Sequence, residues 1–220
     1  MSDTTTVVAF VPLKINSQRV PRKIFQKIGG KTLLQRVMEL LMEVPQFDRV
    51  VAYCSSPEIA SFLPAGVDLV LRDTRLDGDE VKGEEIYDAF IKDVYADVYA
   101  LVHATAPFLS SKSLESGLEA VLAGDFDSSF SVERKQTFGW FDGSPLNYRL
   151  ADIPRTQDLD PIFLETSGFY IFERSVWVVG EKRVGENPKM IEMGWIESID
   201  IDTWDDLEIA NCIIDRGLAN

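Results

Sequence analysis

"VVAFVPLKINSQRVPRKIFQKIGGKTLLQRVMELLMEV" (residues 7–44) decides how the rest of the chain is read. Its opening, VVAFVPL, is an unbroken apolar run, as expected of a strand buried on both faces of a parallel sheet. Its close places Leu33, Leu34, Val37, Leu40, Leu41 and Val44 at helical spacing. The loop between them is basic. Seven Lys and Arg residues fall in the 23 positions from Lys14 to Arg36, and no acid occurs between Thr4 and Met38. Strand, loop and helix in this order start a βα unit, whose loop opens at the carboxyl end of the sheet, where ligands bind. Loop and helix-start amides favour anions there. Lys14, Arg19, Arg22 and Lys23 add full charges, and Gly29 and Gly30 permit close backbone approach. A polyphosphate is the guest that fits; a solvated basic strip is the plainer alternative. Neither GxxxxGK[ST] nor GxGxxG occurs, which argues against an ordinary P-loop or dinucleotide site.

The surroundings of this loop are acidic. Asp and Glu outnumber Lys and Arg 36 to 22 in 220 residues, a formal net charge of −14. That balance disfavours nucleic acid as a partner, because phosphate backbones need a broad basic face. No apolar run approaches the roughly 20 residues that span a membrane. Residues 1–4 carry neither the basic stretch nor the cleavage site of a secretory signal, so a cytoplasmic location is expected. Cys54 and Cys212 have no CxxC partner, consistent with a reducing compartment and against structural zinc. Cys54, at a strand end with no evident base, reads as a small buried apolar residue.

Strand and helix signals alternate onward. Strands are expected at residues 49–55, 67–72, 97–104 and 127–133. Helices are expected at 57–63 (Ser56 as N-cap, Pro57 at the first position), 84–95 and 111–124, the last ending on a glycine. The rhythm breaks at residues 134–163, read as an inserted β-arm or lobe. It resumes with SGFYIFE and closes with WIESIDIDTWDDLEIANCIIDRG, read as a strand, a turn and a helix. The expected fold is one α/β domain over residues 1–220, a mostly parallel sheet with helices on both faces. On the last expected strand Asp200 and Asp202 alternate, so both carboxylates share a face, and paired hard oxygens suit Mg²⁺. A solvated strand end is the alternative. Asp205, Asp206 and Glu208 read as acids of a helix start.

The stretch VPLKINSQRVPRKIFQKIGGKTL resembles the N-terminal signature of the sugar-activating cytidylyltransferases, the acylneuraminate and Kdo enzymes among them. Pro12, Ser17, Arg19, Pro21, Lys23, Gly29, Gly30, Lys31 and Leu33 match; Lys14 replaces an Arg, and Ile24 an Asn. RDTRLDGD (72–79), HATAPF (103–108), RTQDLDPIFLETSGFYIF (155–172) and SIDIDTWDDLEIA (198–210) resemble later motifs in order, so the likeness covers nearly the whole chain. It implies a Rossmann-like nucleotidyltransferase sheet with an arm that pairs two subunits, a role suited to Phe138, Trp140, Phe141 and Tyr148. It implies CTP with its triphosphate on Lys14, Ser17, Arg19 and Lys23, and Mg²⁺ on Asp200 and Asp202. Arg72 would meet the cytosine, with a surface ion pair to Asp73 or Asp77 as the alternative, and His103 the nucleotide or sugar, with a filled strand end as the alternative. Arg155, Gln157 and Glu165 would meet a sialic acid-like 2-keto-3-deoxy sugar acid, with Lys23, Arg19 and Asp202 central to catalysis. Two other readings stay open: a nucleotide-sugar glycosyltransferase, for which the Asp-x-Asp lies unusually late in the chain, and a degenerate paralogue that binds nucleotide without turnover. Lys14, Ile24, His103, Ala104 and Ala106 are the departures that keep the second in view.

Overall fold

The computed structural model describes residues 5–219; residues 1–4, read above for signal features, and residue 220 lie outside them. The chain starts with β1 (Val7–Pro12), whose central residues are fully buried. The basic loop follows and is closed by a short antiparallel pair, β2 (Lys27–Ile28) and β3 (Lys31–Thr32). Gly29 and Gly30 turn that pair at φ of 57° and 87°, in the left-handed region that favours glycine. Helix α1 (Leu33–Met42) leaves the pair under a capping box: the Thr32 hydroxyl accepts from Gln35 N, and the Gln35 side chain accepts from Thr32 N. Then come β4 (Arg49–Cys54), β5 (Val67–Leu71), α2 (Gly83–Asp93), β6 (Val98–Val102), α3 (Ser111–Leu122) and β7 (Ser128–Lys135). The short hairpin β8 (Trp140–Phe141) and β9 (Ser144–Pro145) precedes β10 (Ile162–Glu173), α4 (Arg174–Gly180), β11 (Pro188–Met193) and α5 (Trp204–Asp215).

Seven strands form one sheet in the order β11-β7-β10-β6-β1-β4-β5. β10 runs antiparallel to both neighbours, and the other pairings are parallel. The expected mostly parallel sheet is therefore present. Helices cover both faces because successive strand residues point opposite ways. Val7, Ala9 and Val11 meet Leu34, Val37 and Leu41 of α1 and Leu114 and Leu118 of α3. Val8 and Phe10 meet Tyr87, Phe90 and Ile91 of α2 and Trp177 of α4. Helix α5 stands apart, with Leu207, Ala210 and Ile213 packed on Ile28 and Leu33 beneath the basic loop. Cys54 is buried, as expected.

The structure corrects two readings. Residues 57–62 form a 3-10 helix, and the Ser56 side chain caps nothing. The closing strand expected through Asp200 and Asp202 does not form. Residues 195–198 are a turn, and beyond it Ile201 makes a single backbone bond, its N–H donating to Thr105 O at 2.8 Å. The next two amides, of Asp202 and Thr203, donate to the Asp206 carboxylate at the start of α5, so they are diverted from any ladder. The seventh strand is β11 instead, half-exposed at the sheet edge.

Residues 134–163 run between β7 and β10, whose pairing continues outward beyond a bulge between Glu165 and Tyr170. Phe138 and Trp140 pack edge-on against Tyr148, yet Phe138, Trp140 and Phe141 are all exposed, Phe141 at 74%.

The Phe10 ring stacks on Phe90 at 4.1 Å and meets Tyr87 and Tyr99 edge-on, which makes it the centre of one core layer. Phe10→Ala should cost about 3–5 kcal/mol, read as a fall in the urea midpoint; an unchanged midpoint would contradict this account of the layer.

Candidate functional site

The loop after β1 is held by the segment before α5. The Arg19 guanidinium donates in bidentate fashion to Asp202, at 2.9 and 2.8 Å. The Lys23 ammonium donates to Ile201 O at 2.7 Å and to Asp202 Oδ1 at 3.0 Å. Lys23 is only 7% exposed, so its charge is partly desolvated and needs these acceptors. Arg22 adopts the left-handed region, φ 52°, which turns the chain into the 3-10 helix carrying Lys23. Lys14 pairs with Asp79 at 3.1 Å, and Lys14 and Gln18 together hold the Asp79 carboxyl below its ordinary value. Beside the loop are two cavities of 480 and 240 Å³, with Lys14, Asn16, Ser17 and Gln18 lining both. Arg19 and Lys23 line the smaller; Ser55, Glu58 and Asp77 line the larger. A 700 Å³ cavity opens elsewhere, between α1 and residues 194–197.

Asp200 lies next to this junction and differs from Asp202. Burial raises its pKa; the neighbouring Asp202 and Asp206 charges push the same way, while Thr105 and Lys23 oppose them. Its Oδ1 is buried with no hydrogen-bond partner. An orphaned hard oxygen beside a second carboxylate fits Mg²⁺, which takes one or two carboxylates and completes its shell with water and substrate phosphates. Among the described residues no group of three or more His, Cys, Asp or Glu is placed to cage a metal. The donor set therefore suits an ion brought with phosphate oxygens rather than one held by protein alone.

The other sequence candidates divide. Arg72 is enclosed, with 1% of its side chain accessible; it donates to Tyr53 O and to Asp77 Oδ1, and Ser55 donates to the other Asp77 oxygen. It braces the wall of the larger cavity rather than projecting into it. His103 follows β6. Its Nδ1 bonds Ser167 O and its Nε2 lies 3.3 Å from the Tyr87 hydroxyl, while burial pushes its pKa down. A neutral ring with Nδ1–H donating to the carbonyl and Nε2 accepting from the phenol satisfies both contacts. Ser167 sits at φ 58° within the β10 bulge, a costly region for serine, and its carbonyl meets the ring there. Glu165 joins this cluster, accepting from the Tyr170 hydroxyl at 2.7 Å. Arg155 and Gln157 do not: they sit on an exposed turn of the arm, where Arg155 pairs with Asp158 and the Gln157 carbonyl accepts from Gln136. Asp79 and Arg183 were missed in the sequence. Asp79 lies in the 72–79 motif, so its place beside the basic loop was within reach; Arg183 lies in no motif.

A mostly parallel sheet whose first loop gathers cations beside carboxylates is suited to a phosphate-bearing ligand at its carboxyl end. A solved CMP:2-keto-3-deoxy-manno-octonic acid synthetase complexed with CTP superposes with a TM-score of 0.72 at 18% identity, over 97% of this chain and 100% of that one. A 4-diphosphocytidyl-2C-methyl-D-erythritol synthase from Anaerococcus prevotii gives 0.70 at 12% identity, over 96% and 97%. The cytidylyltransferase family model matches residues 8–173, and the chain belongs to that family. It is 27% identical over 179 residues to an N-acylneuraminate cytidylyltransferase of Oncorhynchus mykiss, covering 77% of this chain and 41% of that protein. It is 31% identical over 120 residues to a 3-deoxy-manno-octulosonate cytidylyltransferase of Koribacter versatilis, covering 53% and 43%. The chain spans about half the length, or less, of these curated relatives. Family membership sets aside the glycosyltransferase reading.

The folded chain holds a proton on Asp200 more tightly than the unfolded chain does, so this group's stabilisation is present below its ordinary value of 3.8 and is lost as pH rises through the raised value. At pH 7, above the ordinary value, burial makes this carboxyl a cost to the fold. Asp200→Asn should raise stability at pH 7 by roughly 1 kcal/mol, and the gain should shrink towards pH 3. A melting temperature at pH 7 that is unchanged or lower would count against this reading of Asp200.

Proposed function

We propose that this chain is a CTP-dependent cytidylyltransferase that activates a 2-keto-3-deoxy sugar acid, giving a CMP-sugar and pyrophosphate. The observation that carries the reading is the convergence of Arg19 and Lys23 on Asp202, beside the unpartnered Asp200 oxygen. Phosphoryl-type transfer depends chiefly on positioning and charge neutralisation, and this junction supplies both. Lys14, Ser17, Arg19 and Lys23 receive the triphosphate at the two adjoining cavities. The anomeric hydroxyl of the sugar acid attacks the α-phosphorus; the new O–P bond forms as the α–β bridge breaks and pyrophosphate departs against the loop cations. Asp200 and Asp202 would hold Mg²⁺, which neutralises phosphate oxygens when bound. Arg72 acts through the wall it braces, and His103 and Glu165 border the acceptor. The relatives named for N-acylneuraminate and for 3-deoxy-manno-octulosonate support the acceptor class, one shared by both.

Lys14, Arg19 and Lys23 are paired internally before any ligand arrives, so phosphate must exchange with Asp79 and Asp202. Release of Asp202 by the incoming triphosphate would free a carboxylate for the metal in the same event.

A pyrophosphate-release screen tests the reading directly, with CTP and UTP against N-acetylneuraminate, legionaminate, pseudaminate and 3-deoxy-manno-octulosonate, with and without EDTA. CTP-dependent release that EDTA abolishes supports it. CTP binding without release over the panel would favour the non-catalytic paralogue. Within the site, Lys23→Ala should weaken CTP far more than CMP, which lacks the β- and γ-phosphates. Loss of one charge-assisted contact costs roughly 1.5–3 kcal/mol, about ten- to 150-fold in affinity. Exposed Lys27 is the control, and Lys27→Ala should change little. Equal losses for CTP and CMP by calorimetry would reduce the loop to a general positive field.

The exposed aromatic arm supports a homodimer joined through residues 134–163, as aromatic side chains at an apolar patch favour association. Light scattering at micromolar concentration should give about twice the chain mass of 24.7 kDa; the monomer mass would rule the dimer out.

A further inference from the structure

The cluster around His103 contains a cation that the sequence motifs do not explain. Arg183 lies between α4 and β11, and its guanidinium stacks over the Tyr170 ring at 4.1 Å from the centroid. Glu165 Oε2 is 3.6 Å from Arg183 Nη2, longer than a direct hydrogen bond, and already accepts from the Tyr170 hydroxyl at 2.7 Å. The Arg183 side chain is 34% exposed and that of Glu165 52%, so their pairing is weak and readily exchanged. Around them lie the phenols of Tyr87 and Tyr170 and the imidazole of His103; the Tyr87 hydroxyl also hydrogen-bonds Arg183, and the charge of Glu84 reaches that phenol. Arg183 thus presents a planar fork over an aromatic floor, held by one phenol and one loosely paired carboxylate.

The place matters as much as the charge. Thr105 O accepts from Ile201 N, directly beside Asp200, while His103 belongs to the Arg183 cluster. His103 and Thr105 are two positions apart, at most about 7 Å along the backbone. In a 2-keto-3-deoxy sugar acid the carboxylate carbon is bonded to the anomeric carbon. The group that holds that carboxylate must therefore stand within a few ångströms of the attacking hydroxyl, on the sugar side of Asp200.

We propose that Arg183 is the anchor for the carboxylate of the acceptor sugar acid, with Glu165 occupying that place when the site is empty. The inference rests on the acceptor class proposed above. A bidentate guanidinium–carboxylate pair fixes both position and orientation, which a lysine ammonium cannot do. Tyr170 holds the guanidinium flat from below, and Glu165 swings towards solvent as the substrate carboxylate enters.

The test uses N-acetylneuraminate and 3-deoxy-manno-octulosonate, each beside its carboxamide, with saturating CTP. Arg183→Gln should raise KM for the acid at least tenfold and leave the calorimetric affinity for CTP within twofold of the unmodified protein. The unmodified protein should strongly prefer acid over carboxamide, and Arg183→Gln should lose most of that preference. Arg183→Lys should recover part of the affinity but less of the discrimination. Glu165→Gln, which removes the competing charge while keeping an acceptor for Tyr170, should lower KM for the acid, and it answers the question even if Arg183→Gln folds poorly. Turnover with an unchanged KM in Arg183→Gln, or equal use of acid and carboxamide by the unmodified protein, overturns the anchor and leaves the cytidylyltransferase reading standing. Bound CTP with no turnover of either acid overturns the acceptor class and the anchor together.

Discussion

The Asp202 carboxylate joins the two ends of the fold. It takes two donors from Arg19 and one from Lys23, and Lys23 reaches one residue further to Ile201 O. A nearly buried ammonium is costly to desolvate unless acceptors such as these meet it, and two guanidinium bonds fix the loop's outer turn. The segment before α5 is held in turn by Asp206, whose carboxylate collects the amides of Asp202 and Thr203, and by Thr105 O. Loop shape and cation placement both follow from this junction.

The junction also explains how so acidic a chain keeps a basic loop. Lys14, Arg19 and Lys23 each face an acid contributed from a distant part of the sequence, Asp79 or Asp202. The loop is positive along the sequence and nearly neutral in space. Its attraction for phosphate is thus local and geometric, with donors already aimed, rather than a long-range field that an overall charge of −14 would oppose.

Much of the fold was legible because its signals are local. An unbroken apolar run and a 3.6-residue repeat are enough to place β1 and α1, and the acids Asp205 and Asp206 mark the first turn of α5. β11 was not legible. Its Lys189 and Glu192 serve an edge strand that is half in water, and its apolar signal is too thin to stand out. The run through Asp200 and Asp202 misled for the opposite reason: alternation was present, but Asp206 had claimed the amides. For the site, the acid-free loop pointed to Arg19 and Lys23, and the C-terminal motif to Asp200 and Asp202. What no local pattern revealed was pairing across the chain, such as the enclosure of Arg72 or the meeting of Arg183 with Glu165, because an isolated arginine carries the same sequence signal on a surface and in a cleft.

The Lys23 contact also has a bearing on the order in which the chain acquires its shape. Lys23 and its acceptors are separated by 178 and 179 positions. During synthesis, at roughly 5–20 residues per second, the first βα unit emerges many seconds before Ile201 and Asp202 exist. For that interval the ammonium has neither acceptor and is better left in water, so the loop stays open while the sheet assembles around it. Closure of the loop is then a late, long-range event, and the nascent protein gains its phosphate-binding shape only after nearly all of its core is in place.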